Sequence, residues 1–465
     1  MLDIPYLSIK ELHEAYALGK VTVKEVVLAQ LARIAKIDSC EGGLKSVIEL
    51  NPESLLIAEN LDKRYKKTKE MPPLFGVPVL VKDNIGTGSN MRTSAGSVAL
   101  ADNCSNTAPI IDQLRDTGAI VIGKANMTEF ANYMTREGMP NGYSSRGGQT
   151  LNPYNREKDV SGSSSGSAAA VAAGLSTLSI GTETSGSIVA PAAANGVVGI
   201  KPTIGLITQE GIIPISRAFD TAGPMARNVT DAAILLGILA SVNFTKFLEG
   251  DDLKGIRIGL NRIKECDHKP EGDESMAAFD KLCETLKAAG AELVDNLELE
   301  RHYDTRVTIM QHEFKSCMNR YLNNTAFESN VKLKSLKDII EYNQANAAVA
   351  LKYGQSLLVE SENKFSGNLT EPAYIEALIK REKAITEMDD LFTEHNLDVL
   401  LGDQFMYIAP FTGFPSMTMP IGQRKDNNLP LNASWTARRH DEGKMIKIAY
   451  IVEKILGITI RPHID

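Results

Sequence analysis

A run of small residues from Ser161 to Ser187, SGSSSGSAAAVAAGLSTLSIGTETSGS, constrains this chain more than any other stretch. The run holds an alanine-rich segment at 167–173 and a short apolar segment at 178–181, between two loops rich in serine and glycine. The alanine segment lacks bulky side chains and favours a helix that packs closely beside a sheet. Gly174 stands where a glycine commonly ends a helix. The run therefore predicts a helix and a strand with a serine-bearing loop at each end.

The serines of this run suggest an acyl-transfer site, because a serine at a strand tip beside free backbone N–H groups suits a nucleophile. A flexible linker is the simplest alternative, but linkers do not normally carry a helix and a strand between their glycines. A second alternative is an α/β-hydrolase elbow centred on Ser164, which fits the pattern G-x-S-x-G. The segment before it, 156–160, is mostly charged, and no histidine occurs between residues 14 and 267.

A serine–lysine pair is the third interpretation, and it points to Lys82. This lysine follows the apolar strand Val79–Val81 and precedes a loop that contains glycine. An amine acts as a base only when it is neutral, and burial among apolar neighbours lowers the pKa of a lysine. The alternative is a lysine at a strand end whose amine reaches solvent. Proton transfer from a distant serine to this lysine would need a second serine as a bridge.

Composition restricts the class of protein and its partners. The 465 residues are 43% apolar and 23% charged, as in a globular protein with a large core, and the net charge of −8 argues against nucleic acid. Five widely spaced cysteines without a CxxC pair favour free thiols and disfavour a zinc cluster. No signal peptide is visible and no apolar run is long enough to span a membrane, so a cytoplasmic location is expected.

The remainder of the chain alternates predicted strands with predicted helices. Capping boxes that begin at Ser8 and Thr22 predict two N-terminal helices, and 228–240 reads as a buried helix. Short apolar strands are predicted at 78–81, 119–122, 196–200, 256–260, 292–294 and 398–401. This alternation predicts an α/β fold with a large mixed, mostly parallel sheet covered by helices on both faces.

Five motifs in a fixed order carry a resemblance to a known family. They are Gly76–Asn84, Ser161–Ala170, Gly181–Ile188, Gly199–Gly205 and Gly223–Arg227. The chain resembles the amidase signature family, densely over about 70–260 and more loosely elsewhere. The resemblance implies the fold of that family in a single domain over residues 1–465. Within this domain it implies a signature core at about 70–260 and a variable, mostly helical cap at about 265–395.

The resemblance also implies a mechanism. Ser187 would be the nucleophile and Lys82 the base, with Ser163 as the bridging serine after a cis peptide bond at Gly162. An acyl-enzyme would form on the nucleophile and be hydrolysed by water, without a metal or a cofactor. The implied oxyanion hole consists of the backbone N–H groups of Thr184, Ser185, Gly186 and Ser187. A loop at 131–134 would line the substrate pocket, with contacts from Ala131 and Tyr133.

Two residues depart from the usual family pattern. Glu183 stands where the family usually has aspartate, and Val189 stands where it usually has arginine. With these residues, the motifs Gly181–Val189, Ser145–Gln149 and Asp220–Arg227 are similar to those of the peptide amidase branch. Members of that branch hydrolyse C-terminal peptide amides to acid and ammonia. Asp220 and Arg227 themselves are interpreted as a structural hydrogen-bonding pair or as caps rather than as catalysts.

The resemblance leaves other activities open. One is hydrolysis of fatty-acyl or aryl amides by an enzyme of the same family. Another is the glutaminase subunit of a tRNA-dependent amidotransferase, which would require partner subunits and glutamine. The main expectation is an amidase that acts on a peptide amide or a small amide, as a monomer or a homodimer.

Overall fold

The structure is a computed structural model that describes residues 2–88, 90–261, 273–295, 297, 299, 302–328, 333–402 and 406–464. The α-helices of these ranges are α1 Ile9–Ala17, α2 Val23–Ile37, α3 Ser54–Thr68, α4 Pro109–Asp116, α5 Ser165–Ala172, α6 Val189–Ala194, α7 Val229–Ala240, α8 Asp273–Ala288, α9 Tyr303–Asn323, α10 Leu336–Ala345, α11 Ala347–Ala350, α12 Ser356–Lys364, α13 Pro372–Glu394, α14 Ile408–Thr412 and α15 Glu442–Leu456. Short 3₁₀ helices lie at Ile4–Tyr6, Val98–Leu100, Glu129–Asn132 and Thr245–Phe247.

The strands of the same ranges are β1 Val47–Leu50, β2 Pro78–Lys82, β3 Asn103–Cys104, β4 Ile120–Ala125, β5 Tyr143–Ser144, β6 Gly148–Gln149, β7 Leu178–Glu183, β8 Val198–Lys201, β9 Thr221–Ala226, β10 Arg257–Asn261, β11 Glu292–Val294, β12 Ala326–Phe327, β13 Val399–Gly402, β14 Ser416–Gln423 and β15 Pro430–Ala437. Eleven of them form one sheet in the order β1-β4-β2-β7-β9-β8-β14-β15-β13-β10-β11. Two small two-stranded sheets join β12 with β3 and β5 with β6.

The α/β class and the mixed sheet are confirmed. The alternation of strands and helices predicts mostly parallel pairing. In the structure, parallel pairs occur in two blocks, β4-β2-β7 and β13-β10-β11. The five pairs between these blocks are antiparallel, as is the edge pair β1-β4, so that six of the ten neighbouring pairs described in this sheet are antiparallel. The reason is that β8, β9, β14 and β15 run alternately up and down across the middle of the sheet.

The N-terminal helices begin where the sequence predicts. The hydroxyls of Ser8 and Thr22 cap α1 and α2, and Glu11 and Glu25 complete both capping boxes. Each box satisfies backbone N–H groups that the first turn of a helix leaves without intrahelical partners.

The small-residue helix α5 lies entirely within the core, and each of its eight residues is buried. A side chain at Gly166 would collide with the backbone oxygens of Ser46 and Asn126. Helix α5 packs with α6 around Met225 on one face of the sheet, whereas Ala222 and Ala226 of the same strand join the cluster that contains α7. Alternate residues of a strand point to opposite faces, so helices cover both faces at the centre of the sheet.

The described part of the predicted cap is mostly helical, from α8 to α13. Residues 265–272, 296, 298, 300–301 and 329–332 of that region lie outside the described ranges. Two clusters of buried side chains join the predicted cap to loops of the predicted core: Phe314 belongs to one cluster with Ile213, and Phe392 belongs to the other with Phe219. The division into core and cap stays a prediction. Among the described residues, no helix is long and apolar enough to cross a membrane.

Candidate active site

Lys82 ends strand β2, and its side chain is completely buried. The strand forms because Val79, Leu80 and Val81 fill the core on both faces of the sheet. The amine of Lys82 donates to Ser163 Oγ at 2.8 Å and to the carbonyl oxygen of Thr182 at 3.0 Å. The lysine predicted from the sequence therefore points inward, toward the serine run, and does not reach solvent.

Burial lowers the pKa of Lys82 from 10.5 to about 7. The cause is desolvation, which penalises the charged amine. The negative charges of Glu183 and Asp220 act in the opposite direction and raise the pKa. No carboxylate of the described residues lies within ion-pair distance of the amine. A substantial fraction of the amine is consequently neutral near pH 7, as a general base requires.

Two further lysines are completely buried, and their environment shows how Lys82 differs. Burial lowers the pKa of Lys124 and of Lys201 to about 8. Lys124 donates to the carbonyl oxygen of Ile85 at 2.6 Å, and Lys201 donates to that of Pro202 at 2.8 Å. Lys124 also donates to the hydroxyl of Thr93 at 3.0 Å, but the acceptors of both lysines lie outside the serine run, whereas Lys82 donates to a serine hydroxyl within it.

The three consecutive serines before α5 occupy different environments. Ser163 follows a cis peptide bond from Gly162, and its carbonyl oxygen accepts the backbone N–H of Thr128 at 3.0 Å. The hydroxyl of Ser164 donates to the carbonyl oxygen of Thr182 at 3.1 Å, the same oxygen that accepts from Lys82. Ser165 donates to the carbonyl oxygen of Ser161. Only Ser163 of the three donates to, or accepts from, the amine of Lys82 among the described residues.

Ser187 lies in the loop between β7 and α6 and is 7% exposed. Its carbonyl oxygen accepts the backbone N–H of Ser164 at 3.2 Å, which fastens the loop of the predicted nucleophile to the loop of Ser163. Gly186 has φ of +88°, a left-handed conformation that glycine adopts readily. The structure thus places the two serine loops side by side, with Lys82 and Ser163 in direct contact.

Glu183 shapes the turn that carries Ser187. One oxygen of its carboxylate accepts the backbone N–H groups of Ile188 at 2.8 Å and of Val189 at 3.1 Å. These amides belong to the N-cap and the first residue of α6, where negative charge is favourable. The other oxygen, Oε1, is buried and has no hydrogen-bond partner among the described residues. The glutamate found in place of the usual family aspartate therefore links the start of the loop to its end at Ile188 and Val189.

The predicted oxyanion residues Thr184 to Ser187 have free backbone donors. In the part of the chain that the structure describes, their backbone N–H groups have no hydrogen-bond acceptor. Free N–H groups of this kind can bind an anionic oxygen. The side chain of Thr184 is fixed, because its hydroxyl donates to Asp220 Oδ1 at 2.6 Å.

Asp220 is the site residue whose role sequence reasoning missed. Its second oxygen accepts the backbone N–H groups of Ile215 at 2.7 Å and Ser216 at 3.0 Å, so the carboxylate braces two loops. Burial raises the pKa of Asp220 to about 6. It does not pair with Arg227, which donates instead to backbone carbonyls of Val171, Ser176 and Leu7. No local pattern indicated the bond to Thr184, because the two residues lie 36 positions apart.

The two predicted substrate contacts lie in different places. Ala131 borders a cavity of about 20 Å³ together with Thr182, Thr184 and Asp220, directly behind the serine loops. Tyr133 is buried against Phe314, with ring centroids 4.4 Å apart. Both assignments as substrate contacts stay predictions. Residues 130–132 have φ between +48° and +71°, so this loop turns sharply in a left-handed conformation.

Comparisons with known proteins agree with this architecture. The family described as Amidase matches residues 25–403. A probable amidase of Arabidopsis thaliana is 32% identical over 99% of this chain and 92% of its own length. A glutamyl-tRNA(Gln) amidotransferase subunit of Prochlorococcus marinus is 31% identical over 99% of each chain. The X-ray structure of native peptide amidase from Stenotrophomonas maltophilia matches with a TM-score of 0.90 at 37% identity, covering 98% of each chain.

The fold and these matches define an amidohydrolase, an enzyme that acts on amide C–N bonds. The chain belongs to the amidase family. In overall structure it is similar to the peptide amidase branch, as the sequence motifs predicted.

Proposed function

We propose that this protein hydrolyses carboxamides to carboxylic acids and ammonia through an acyl-serine intermediate on Ser187. The observation that carries the proposal is the bond of 2.8 Å between the buried amine of Lys82 and Ser163 Oγ. A lysine whose pKa is lowered to about 7 can accept a proton at neutral pH, and a serine hydroxyl can both donate and accept one.

The proposed reaction begins with neutral Lys82. Its amine takes the proton of Ser163, which takes the proton of Ser187 as that oxygen attacks the amide carbon. The developing oxyanion accepts hydrogen bonds from the free N–H groups of residues 184–187. Collapse of the intermediate breaks the C–N bond, and the proton returns through Ser163 to the nitrogen, which leaves as ammonia. Water then attacks the acyl-serine by the same proton route and releases the acid.

We further propose that the substrates are peptide amides or similar small amides. The similarity of this chain to the peptide amidase of Stenotrophomonas maltophilia over 98% of both chains supports that class. A role as glutaminase subunit of an amidotransferase is the second candidate, and the similarity to the Prochlorococcus marinus protein favours it. Fatty-acyl or aryl amides are a third class. The candidates differ in a measurable way, because a glutaminase subunit needs glutamine and partner subunits.

The cellular setting belongs to the same proposal. We expect a monomer or a homodimer in the cytoplasm, with Ala131 and Tyr133 near the substrate and no metal or cofactor. Cys40, Cys104 and Cys317 are free thiols, as is usual in a reducing compartment.

The test is release of ammonia by the purified protein from peptide amides, glutamine, aliphatic amides and aryl amides. Ser163→Ala and Ser187→Ala should each lower kcat by at least about a hundredfold, because each removes a proton-transfer or nucleophilic group. Ser164→Ala is the matched control, since its hydroxyl bonds to the Thr182 carbonyl and not to Lys82. Full activity of the Ser163 or Ser187 variant would refute the mechanism. Turnover of glutamine alone, and only with added partner subunits, would favour the second candidate.

A further inference from the structure

Arg306 is a buried cation in the first turn of helix α9, and it has no anionic partner among the residues that the structure describes. Its side chain is 5% exposed, and its Nε has no hydrogen-bond acceptor among the described residues. Within the same residues, no carboxylate lies within ion-pair distance of the guanidinium. A buried charge without a partner is costly, so such residues are rare unless something outside the chain satisfies them.

Two tyrosines surround this guanidinium. Its Cζ lies 5.0 Å from the ring centroid of Tyr303 and 5.2 Å from that of Tyr407. Aromatic faces stabilise a cation, but they do not supply the in-plane oxygen atoms that the N–H fork of arginine matches. Both tyrosines are themselves well exposed, at 61% and 46%, so the cluster borders solvent. A planar acceptor can therefore reach the guanidinium from solvent.

The helix that carries Arg306 also holds the loops around the candidate active site. Glu313 lies two turns further along α9 and, at this spacing of seven residues, on the same face. Its carboxylate accepts the backbone N–H of Ala218 at 3.1 Å and the hydroxyl of Ser216. Ser216 in turn donates its backbone N–H to Asp220, the partner of Thr184. Arg306 therefore lies about 10 Å along the helix from a direct contact with the loops that support the oxyanion residues.

Tyr407 gives a second, independent connection to the same loops. It precedes α14, whose Phe411 packs against Phe219 with ring centroids 6.2 Å apart. Phe219 is the neighbour of Asp220 in the chain. The negative charge of Glu183, which shapes the turn of Ser187, also acts on Arg306 and opposes the lowering of its pKa by burial. Arg306 and its tyrosines therefore lie beside the catalytic loops rather than on a remote surface.

We propose that Arg306, flanked by Tyr303 and Tyr407, binds a carboxylate of the substrate at a distance of several bonds from the scissile amide. The inference rests on the proposed amidase function and narrows its substrates to amides that also carry an acidic group. A carboxylate satisfies the guanidinium because it accepts two parallel N–H bonds and supplies the missing negative charge.

The experiment uses blocked tripeptide amides in which one position at a time carries glutamate or its neutral isostere glutamine. For one position, the wild-type protein should show kcat/KM at least about tenfold higher for the glutamate substrate, mainly through KM, since a charged hydrogen bond contributes 1.5–3 kcal/mol. Arg306→Met should bring that ratio to about one while turnover of the glutamine substrates is kept. Arg306→Lys should retain part of the preference.

Arg136→Met is the matched control, because Arg136 is half exposed and paired with Glu360, and it should leave the ratio unchanged. A merely structural arginine would lower turnover of both substrates equally when replaced. The inference is overturned if no position favours glutamate, or if the preference survives in Arg306→Met. Absence of ammonia from every substrate with the wild type would instead refute the proposed function itself.

Discussion

Thr184, three residues before the predicted nucleophile Ser187, donates its hydroxyl to Asp220 Oδ1 at 2.6 Å. This bond joins the first residue of the oxyanion segment to a carboxylate held by the backbone of Ile215 and Ser216. The segment that carries the free backbone donors is therefore held in place by the buried carboxylate of Asp220, which accepts three hydrogen bonds. Preorganised donors need no rearrangement when charge develops on the substrate oxygen.

Thr184→Val should lower kcat by about tenfold to a hundredfold with little change in KM, because the isosteric side chain leaves Asp220 with an unpaired buried oxygen. Thr184→Ser keeps the hydroxyl and serves as the control, with kcat close to wild type. Steady-state kinetics on a peptide amide measure both values. A valine variant with unchanged kcat would show that the bond does not position the oxyanion segment.

The pH dependence of kcat/KM should follow the ionisation of Lys82. Burial lowers its pKa to about 7, and only the neutral amine accepts the proton of Ser163. Below that pH the rate should fall about tenfold per pH unit, and above it the rate should level off. Lys82→Arg should be inactive at every pH, since arginine stays charged. A wild-type profile that is flat from pH 5 to pH 8 would contradict the assignment of Lys82 as base.

Lys82→Met should be inactive yet more stable than the wild type at neutral pH. Folding forces the buried amine to lose a proton that the unfolded chain retains up to pH 10.5, and methionine removes that cost. The carbonyl of Thr182 keeps the hydroxyl of Ser164 as a donor, whereas the buried hydroxyl of Ser163 loses Lys82 as its partner, which offsets part of the gain. We expect the variant to gain more than about 1 kcal/mol in the free energy of unfolding at pH 7.

The gain in stability of Lys82→Met should depend on pH, and the direction of that dependence can be measured. The wild type becomes relatively more stable as pH rises from 7 toward 10.5, because the unfolded chain then also loses the proton. The gain of Lys82→Met should therefore shrink over that interval in denaturant titrations. A gain that is absent at pH 7, or that grows with pH, would contradict a lowered pKa in the folded state.

Features that depend on neighbouring residues in the chain could be predicted from the sequence, and features that depend on distant residues could not. Lys82 was predictable because the apolar residues before it in β2 dictate its burial. The helix α5 was predictable for the same local reason, although it begins at Ser165 and β7 extends to Glu183, beyond the predicted 181. Patterns along one strand carry no information about its direction relative to a neighbour. The antiparallel centre of the sheet was consequently invisible in the sequence.

Hydrogen bonds between residues that are distant in the chain could not be predicted from the sequence either. Asp220 reaches Thr184 across 36 positions, and Glu313 reaches Ser216 across 97. Nothing in the helical pattern of residues 303–323 distinguishes Arg306 from the arginines of an exposed face, because its burial depends on tyrosines from two separate segments. Such contacts follow from the packing of the cap and not from local propensity.

Glu313→Ala should test the attachment of the cap. Its carboxylate accepts from Tyr374 at 2.8 Å as well as from the core loop, so removal leaves buried donors unpaired. We expect a loss of more than about 2 kcal/mol in the free energy of unfolding. Glu387→Ala, which removes an exposed ion pair with Lys383 on α13, should change stability by less than about 0.5 kcal/mol. Equal effects of the two changes in denaturant titrations would show that Glu313 does not fasten the cap.

The complete burial of α5 has a consequence for how this enzyme can change. At Gly166 even one added carbon atom would meet backbone oxygens that have no room to retreat, so this helix offers directed evolution almost no neutral substitutions. Helix α13 carries exposed positions along most of its length, whereas most residues of α9 are buried or half-buried. A library should therefore diversify the exposed positions of α13, and hold residues 161–189, Arg306 and Glu313 constant.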